Sequence, residues 1–142
     1  RAILQGIRSR AEWSGRVVAI AASGFTTVPA LFAAAIDKRL DRLYLSGGLL
    51  SFEALCQEPD YQQPFGNFVP DLLLHTDLPA IAKELVPSPI TLAGAVDGAG
   101  RALPIEQVRS VYPESGTEGR IRLKAAARWE AAAIREWATS RP

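Results

Sequence analysis

Few side chains in this sequence have the type and placement for chemistry, and those that do stand mainly where an apolar run gives way to a loop. Ser23 and Gly24 follow the run 17–22, and Asp97 with Gly98 follows the run 90–96. In a parallel sheet the carboxyl ends of strands are where function gathers. By that rule the candidate positions are 22–25, 46–48 and 97–100. Taken alone, the Ser23 hydroxyl suits a turn or cap at a helix start, and Asp97-Gly98 suits a tight turn. His75 is the only histidine and Cys56 the only cysteine. One of each supports neither a zinc site of the usual kinds nor a disulfide framework. His75, near a helix end, reads as a cap or packing group. Gly94, Gly98 and Gly100 lack the GxGxxG spacing and the following helix that would hold a phosphate. The pairs Glu58 with Asp60 and Glu114 with Glu118 resemble an acid and base for glycoside cleavage only in number, and surface loops supply such pairs freely. No cofactor and no metal are expected.

The elements that must position these residues alternate. A short amphipathic helix is expected over 1–10, with Ile3, Leu4 and Ile7 on one side. Residues 17–22 read as a strand buried on both faces. Thr26 or Thr27 then caps a helix that tolerates Pro29 in its first turn and runs to Asp37. A second strand is expected over 41–46, centred on Leu43, Tyr44 and Leu45 and closed by Gly47-Gly48. Over 49–76 the signal is irregular, with Pro59, Pro64, Gly66 and Pro70 dividing two short helical stretches, as in an excursion over the sheet edge. Asp77 caps a helix over 78–86, and 90–96 gives a third strand. A helix over 105–112, an edge strand over 120–123 with outward arginines, and a helix over 124–139 complete the chain. In that last helix Ala126, Trp129, Ala133 and Trp137 form an apolar stripe. The sum is one α/β domain over 1–142, a mostly parallel sheet flanked by helices on both faces.

Composition narrows the partners. The 142 residues are 48% hydrophobic, enough for one compact core, and carry 16 basic against 15 acidic residues, a net charge of +1. A balance so close to neutral gives no electrostatic footprint for nucleic acid or an anionic membrane. The longest strongly apolar run, 28–36, is too short to span a bilayer, so a soluble protein is expected.

Several stretches carry a family likeness: Ser14-Gly15-Arg16-Val17-Val18-Ala19-Ile20, Ala30-Leu31-Phe32-Ala33-Ala34-Ala35-Ile36-Asp37, Val69-Pro70-Asp71-Leu72-Leu73, His75-Thr76-Asp77-Leu78-Pro79 and Ala95-Val96-Asp97. Through them residues 1–113 resemble the second half of bacterial α/β hydrolases related to acetyl xylan esterases and dienelactone hydrolases. The resemblance implies a partial α/β-hydrolase fold and a GxSxG elbow, in which serine sits on a strained turn between strand and helix. It lays Ala22-Ser23-Gly24-Phe25-Thr26 on that elbow, with Gly24 in the nucleophile's place. A shift of one residue would make Ser23 the nucleophile, but Phe25 would then stand where a small residue belongs. Asp97 matches the triad acid, and no histidine follows it.

Three expectations follow. The chain is a hydrolase-type segment with a degenerate triad, serving as a structural or binding domain of an esterase-like protein. Or it is an active carboxylic-ester hydrolase using Ser23 or residues outside this chain. Or it is a small nucleotide binder on a doubly wound sheet. The sequence begins at Arg1 and contains no methionine, so an absent upstream part of the domain is expected, or else a homo-oligomer partner to cover the edge of the first strand. A secreted or periplasmic location would follow if the parent acts on polysaccharide.

Overall fold

A computed structural model describes residues 5–7, 9–13, 16–37, 40–84, 88–112 and 119–140. The expected first helix is helical at residues 5–7, and the rest of its apolar side lies outside the described residues, as do Glu114 and Glu118.

Four strands form one sheet: β1 (Ala19–Ser23), β2 (Arg42–Ser46), β3 (Ile90–Ala93) and β4 (Ile121–Lys124). They lie in sequential order, and every neighbouring pair is parallel. Among the described residues after the helical turn at 5–7, five α-helices accompany them: α1 (Thr27–Ile36), α2 (Phe52–Cys56), α3 (Leu78–Glu84), α4 (Ile105–Val111) and α5 (Ala131–Thr139). This is an α/β fold with a wholly parallel sheet.

The register sorts the side chains by period two. Ile20 and Ala22 align with Leu43 and Leu45, then with Ile90 and Leu92, then with Ile121 and Leu123. All of these belong to or pack on one apolar cluster, together with Val28 and Leu31 of α1, Leu78 and Ile81 of α3, and Val108 of α4. The opposite face carries Ala21, Arg42, Tyr44, Ser46, Thr91, Ala93 and Arg122. Tyr44 and Ala93 are buried there, outside that cluster. What covers them is the C-terminal segment: Tyr44 packs on Trp137 with ring centroids 5.3 Å apart. Its hydroxyl donates to the Arg128 carbonyl at 2.8 Å, and Ser46 Oγ donates to the same oxygen at 3.1 Å. Arg42 closes the far end, its guanidinium donating to the carbonyls of Trp137 (3.1 Å) and Ser140 at the end of α5. A cation there also meets the negative end of the helix dipole.

Three expectations change. The strand at 17–22 is not buried on both faces: Ala19 is exposed and Ile20 and Ala21 are half-buried, because β1 is an edge strand. The helix over 124–139 shrinks to Ala131–Thr139. Residues 125–130 cannot coil, because the Arg128 carbonyl is taken by the sheet and Ala127 lies against Gly94. Of the expected stripe only Ala133 and Trp137 lie on the helix, and Trp129 is largely exposed. Lastly, neither Thr26, before α1, nor Thr27, its first residue, caps its amides. Thr26 Oγ1 accepts from the Ser23 amide and donates to the Ser23 carbonyl, while Thr27 Oγ1 donates to the Gly24 carbonyl. A 3-10 turn, Gly24–Thr26, precedes the helix, and both hydroxyls clamp that turn.

Asp77 caps more than its own helix. Its carboxylate accepts from the Leu78 amide (2.6 Å) and also from the Phe52 (2.8 Å) and Glu53 (3.1 Å) amides of α2. One side chain thus satisfies first-turn donors of two helices and ties the start of the 49–76 excursion to its end. Among the described residues, no helix is long and apolar enough to cross a membrane.

Candidate functional site

The strand ends form a crest. Ser23, Ser46 and Ala93 align across the sheet, and each is followed by a glycine in the left-handed region: Gly24 at φ 55°, Gly47 at 63°, Gly94 at 59°. Three adjacent strands therefore end in the same sharp turn. At Gly24 the turn leads directly into the 3-10 turn and α1, with Ser23 still extended at φ −133°, ψ 153°. A side chain at Gly24 would meet open space. At Gly94 a Cβ would fall 2.1 Å from the Ala127 backbone nitrogen, so the segment after β4 lies directly over that end of the sheet. A Cβ on Gly47 would come within 3.9 Å of both Ala127 Cβ and the Gly24 nitrogen, which places all three glycines under or beside one crossing.

Ser23 is half-buried in β1 beside Ser46. Ser46 Oγ is committed to Arg128 as a donor. Burial raises the Tyr44 phenol above its ordinary value, with Glu130 adding to the rise and Ser46 and Arg128 opposing it, so the phenol stays a neutral donor here. Phe25 is exposed, but its carbonyl accepts from Asn67 Nδ2 at 2.8 Å, and the same amide donates to Gln63 Oε1 at 3.0 Å. Buried Asn67 thus pins the excursion to the residue after Gly24.

Asp97 is used locally. Its Oδ1 accepts from the Ala99 (3.0 Å) and Arg101 (2.8 Å) amides, and Oδ2 from Arg101 Nε at 2.6 Å. Desolvation pushes this carboxyl up, but the Arg101 side chain and the two amides outweigh it and hold it below the usual aspartate value. Arg101 also bonds Glu58, joining the excursion to the loop after β3. Glu58 is therefore an ion-pair partner, and Asp60 beside it is exposed. His75 ends a 3-10 turn over Leu72–Leu74, its amide bonded to the Leu72 carbonyl, with an exposed side chain. Cys56 is exposed at the end of α2. Among the described residues no group of three His, Cys, Asp or Glu side chains could hold a metal ion.

Below the crest is a cavity of about 20 Å³, lined by Thr27, Gly48, Leu49, Leu92 and Tyr112 among others. That volume is on the scale of one water molecule. A larger groove, about 370 Å³, runs on the outer side of α1 between Pro29, Phe32, Ala33 and Ile36 and the excursion residues Gly66, Asn67 and Val69.

Sequence reasoning placed Ser46 among the strand ends but did not single out Arg42 or Tyr44, which with it anchor the segment over the crest. The signal was the alternation Arg-Leu-Tyr-Leu-Ser, which marks a two-faced strand. Fold and crest together define an α/β protein whose parallel strands end under a crossing segment. Compared with protein families, with curated proteins and with solved structures, the chain matches none.

Proposed function

We propose that this chain is a hydrolase-type α/β unit that keeps the frame of a serine esterase without its chemistry, acting as a structural or binding domain of an esterase-like protein. The observation that carries the reading is the left-handed backbone of Gly24 at the turn from β1 into α1. In a GxSxG elbow that strained position belongs to the serine. Glycine adopts it without steric cost and has no oxygen with which to attack a carbonyl. The extended backbone of Ser23 suits the residue before a nucleophile, which speaks against the register that would make Ser23 the nucleophile.

The other triad positions agree with this reading. The carboxylate of Asp97 is engaged by Arg101, and β4 is followed by Ala125-Ala126-Ala127, with no histidine anywhere after Asp97. Without a base, a hydroxyl near the crest has no acceptor for its proton.

The test is hydrolysis of a short-chain aryl acetate by the chain, by Ser23→Ala and by Gly24→Ser. Background rates in all three are expected, since a restored hydroxyl still lacks a base. Turnover by the chain that Ser23→Ala abolishes would refute the reading and establish an active carboxylic-ester hydrolase.

A further inference from the structure

Helix α1 has no polar side. Its sequence, Thr-Val-Pro-Ala-Leu-Phe-Ala-Ala-Ala-Ile, carries no charge, and a helix apolar all round is one covered all round. Only part of it is covered. Thr27, Val28, Leu31 and Ala34 are buried. Pro29, Phe32, Ala33 and Ile36, at spacing i, i+3, i+4, i+7, form a second stripe along the 370 Å³ groove, and Ile36 is 62% exposed. Across the groove the excursion adds to the same face. Asn67 ties it to Phe25, Phe68 packs on Tyr61 and Phe65, and Phe65 stands 83% exposed beside the groove.

The area is that of an interface. At ~150–250 Å² per aromatic side chain, Phe25, Tyr61, Phe65 and Phe68 together leave roughly 400 Å² open to solvent. Ile36 and Val69, which line the groove, extend the face toward the ~800 Å² that each partner contributes to a standard interface, at the upper end of the largest patch usual on a monomer.

Charge selects the occupant. No Lys, Arg, Asp or Glu occurs between Arg16 and Asp37 or between Asp60 and Asp71. In a two-fold contact the same patch meets itself, so any charge near the axis meets its like. An uncharged patch escapes that penalty. It also carries an exposed aromatic, Phe65, adjacent in sequence to Gly66 of the groove.

We infer that two copies of the chain associate through this face, the outer stripe of α1 and the 61–69 excursion of one lying on those of the other. The inference is independent of the hydrolase reading. Sedimentation velocity and light scattering on the chain at roughly 1–100 µM test it. The expected result is a species of twice the 15.3 kDa chain mass, reduced to monomer by Ile36→Glu and by Phe65→Glu. Both side chains are exposed, so circular dichroism should match the parent chain. Should either variant misfold, concentration-dependent hydrogen exchange at residues 29–36 of the parent chain replaces it, with protection expected to rise with concentration. A monomer throughout, a dimer insensitive to both substitutions, exchange independent of concentration, or open-ended larger species would each overturn the inference.

Discussion

Gly24 and Gly94 have nearly the same backbone, φ 55° and 59°, but different surroundings, so alanine at each separates backbone strain from packing. At Gly24 the added methyl meets nothing within 4 Å. Its cost is the left-handed conformation, ~1–2 kcal/mol, offset by ~0.4–1 kcal/mol from a stiffer unfolded chain, or about 1 kcal/mol net. At Gly94 the same term applies, and the methyl also falls 2.1 Å from the Ala127 nitrogen and 2.7 Å from its Cα. Backbone must then move, which adds the ~1–3 kcal/mol typical of overpacking. Gly94→Ala should therefore lose about 2–4 kcal/mol, a large part of the ~5–15 kcal/mol a domain has. Urea unfolding followed by circular dichroism measures both variants. Equal losses in the two variants would refute the placement of residues 125–128 over the crest.

Two further perturbations test the contacts that hold this arrangement. Arg42→Ala removes a cation whose guanidinium bonds the carbonyls at the end of α5, contacts of the charge-assisted kind worth ~1.5–3 kcal/mol in favourable settings. The expected outcome is faster hydrogen exchange over 131–140, with exchange in β2 and β3 unchanged. Asp97 gives a pH dependence. Its folded carboxyl lies below the ordinary 3.8, so its contribution is complete above that value and disappears as pH falls through the lower folded value. Between about pH 6 and about pH 2.5 the parent chain should lose more of its urea midpoint than Asp97→Asn, and an equal loss would count against the Arg101 pairing.

The alternation of strand and helix was legible because the first three strands are short runs rich in apolar residues and closed by glycine, and between 26 and 112 the helices α1, α3 and α4 and the strands β2 and β3 lie within a few residues of their expected bounds. The candidate site was legible in part. Gly24 stands at the turn where the pattern puts it, because a strand that leads directly into a helix needs a sharp bend and the sequence supplies glycine there. Residues 124–130 were not legible. Lys-Ala-Ala-Ala-Arg-Trp-Glu has high intrinsic helix propensity, but what it does is decided by Tyr44 and Ser46, more than eighty residues away in sequence, which claim the Arg128 carbonyl. Local propensity amounts to tenths of a kcal/mol per residue, and a pair of buried side-chain bonds outweighs it. The ring of bonds around Asp97 was hidden for a similar reason. An Asp-Gly pair signals a turn, while Arg101, which bonds Asp97, also reaches Glu58, on the other side of the third strand in sequence.

The sequential strand order has a consequence for the crest. Right-handed crossovers that always step to the next strand in one direction bring their helices to the same face of the sheet. The core cluster agrees, gathering residues of α1, α3 and α4 over Ala22, Leu43, Leu45 and Ile90. Among the described residues no crossover helix packs on the opposite face, and the segment after β4 is what covers Tyr44 there. That segment buries little apolar surface, since no residue of α5 is fully buried. It is held instead by polar hooks on β2, which explains why Arg42, Tyr44 and Ser46 point to that face while Leu43 and Leu45 point to the core. To reach that face from the end of edge strand β4, the chain must pass the carboxyl ends of β3 and β2, the region where a ligand of a parallel sheet would enter. Coverage of the open face therefore crowds the end of β3, where Gly94 has no room for a methyl group beneath Ala127, and leaves the end of β1 at Gly24 open.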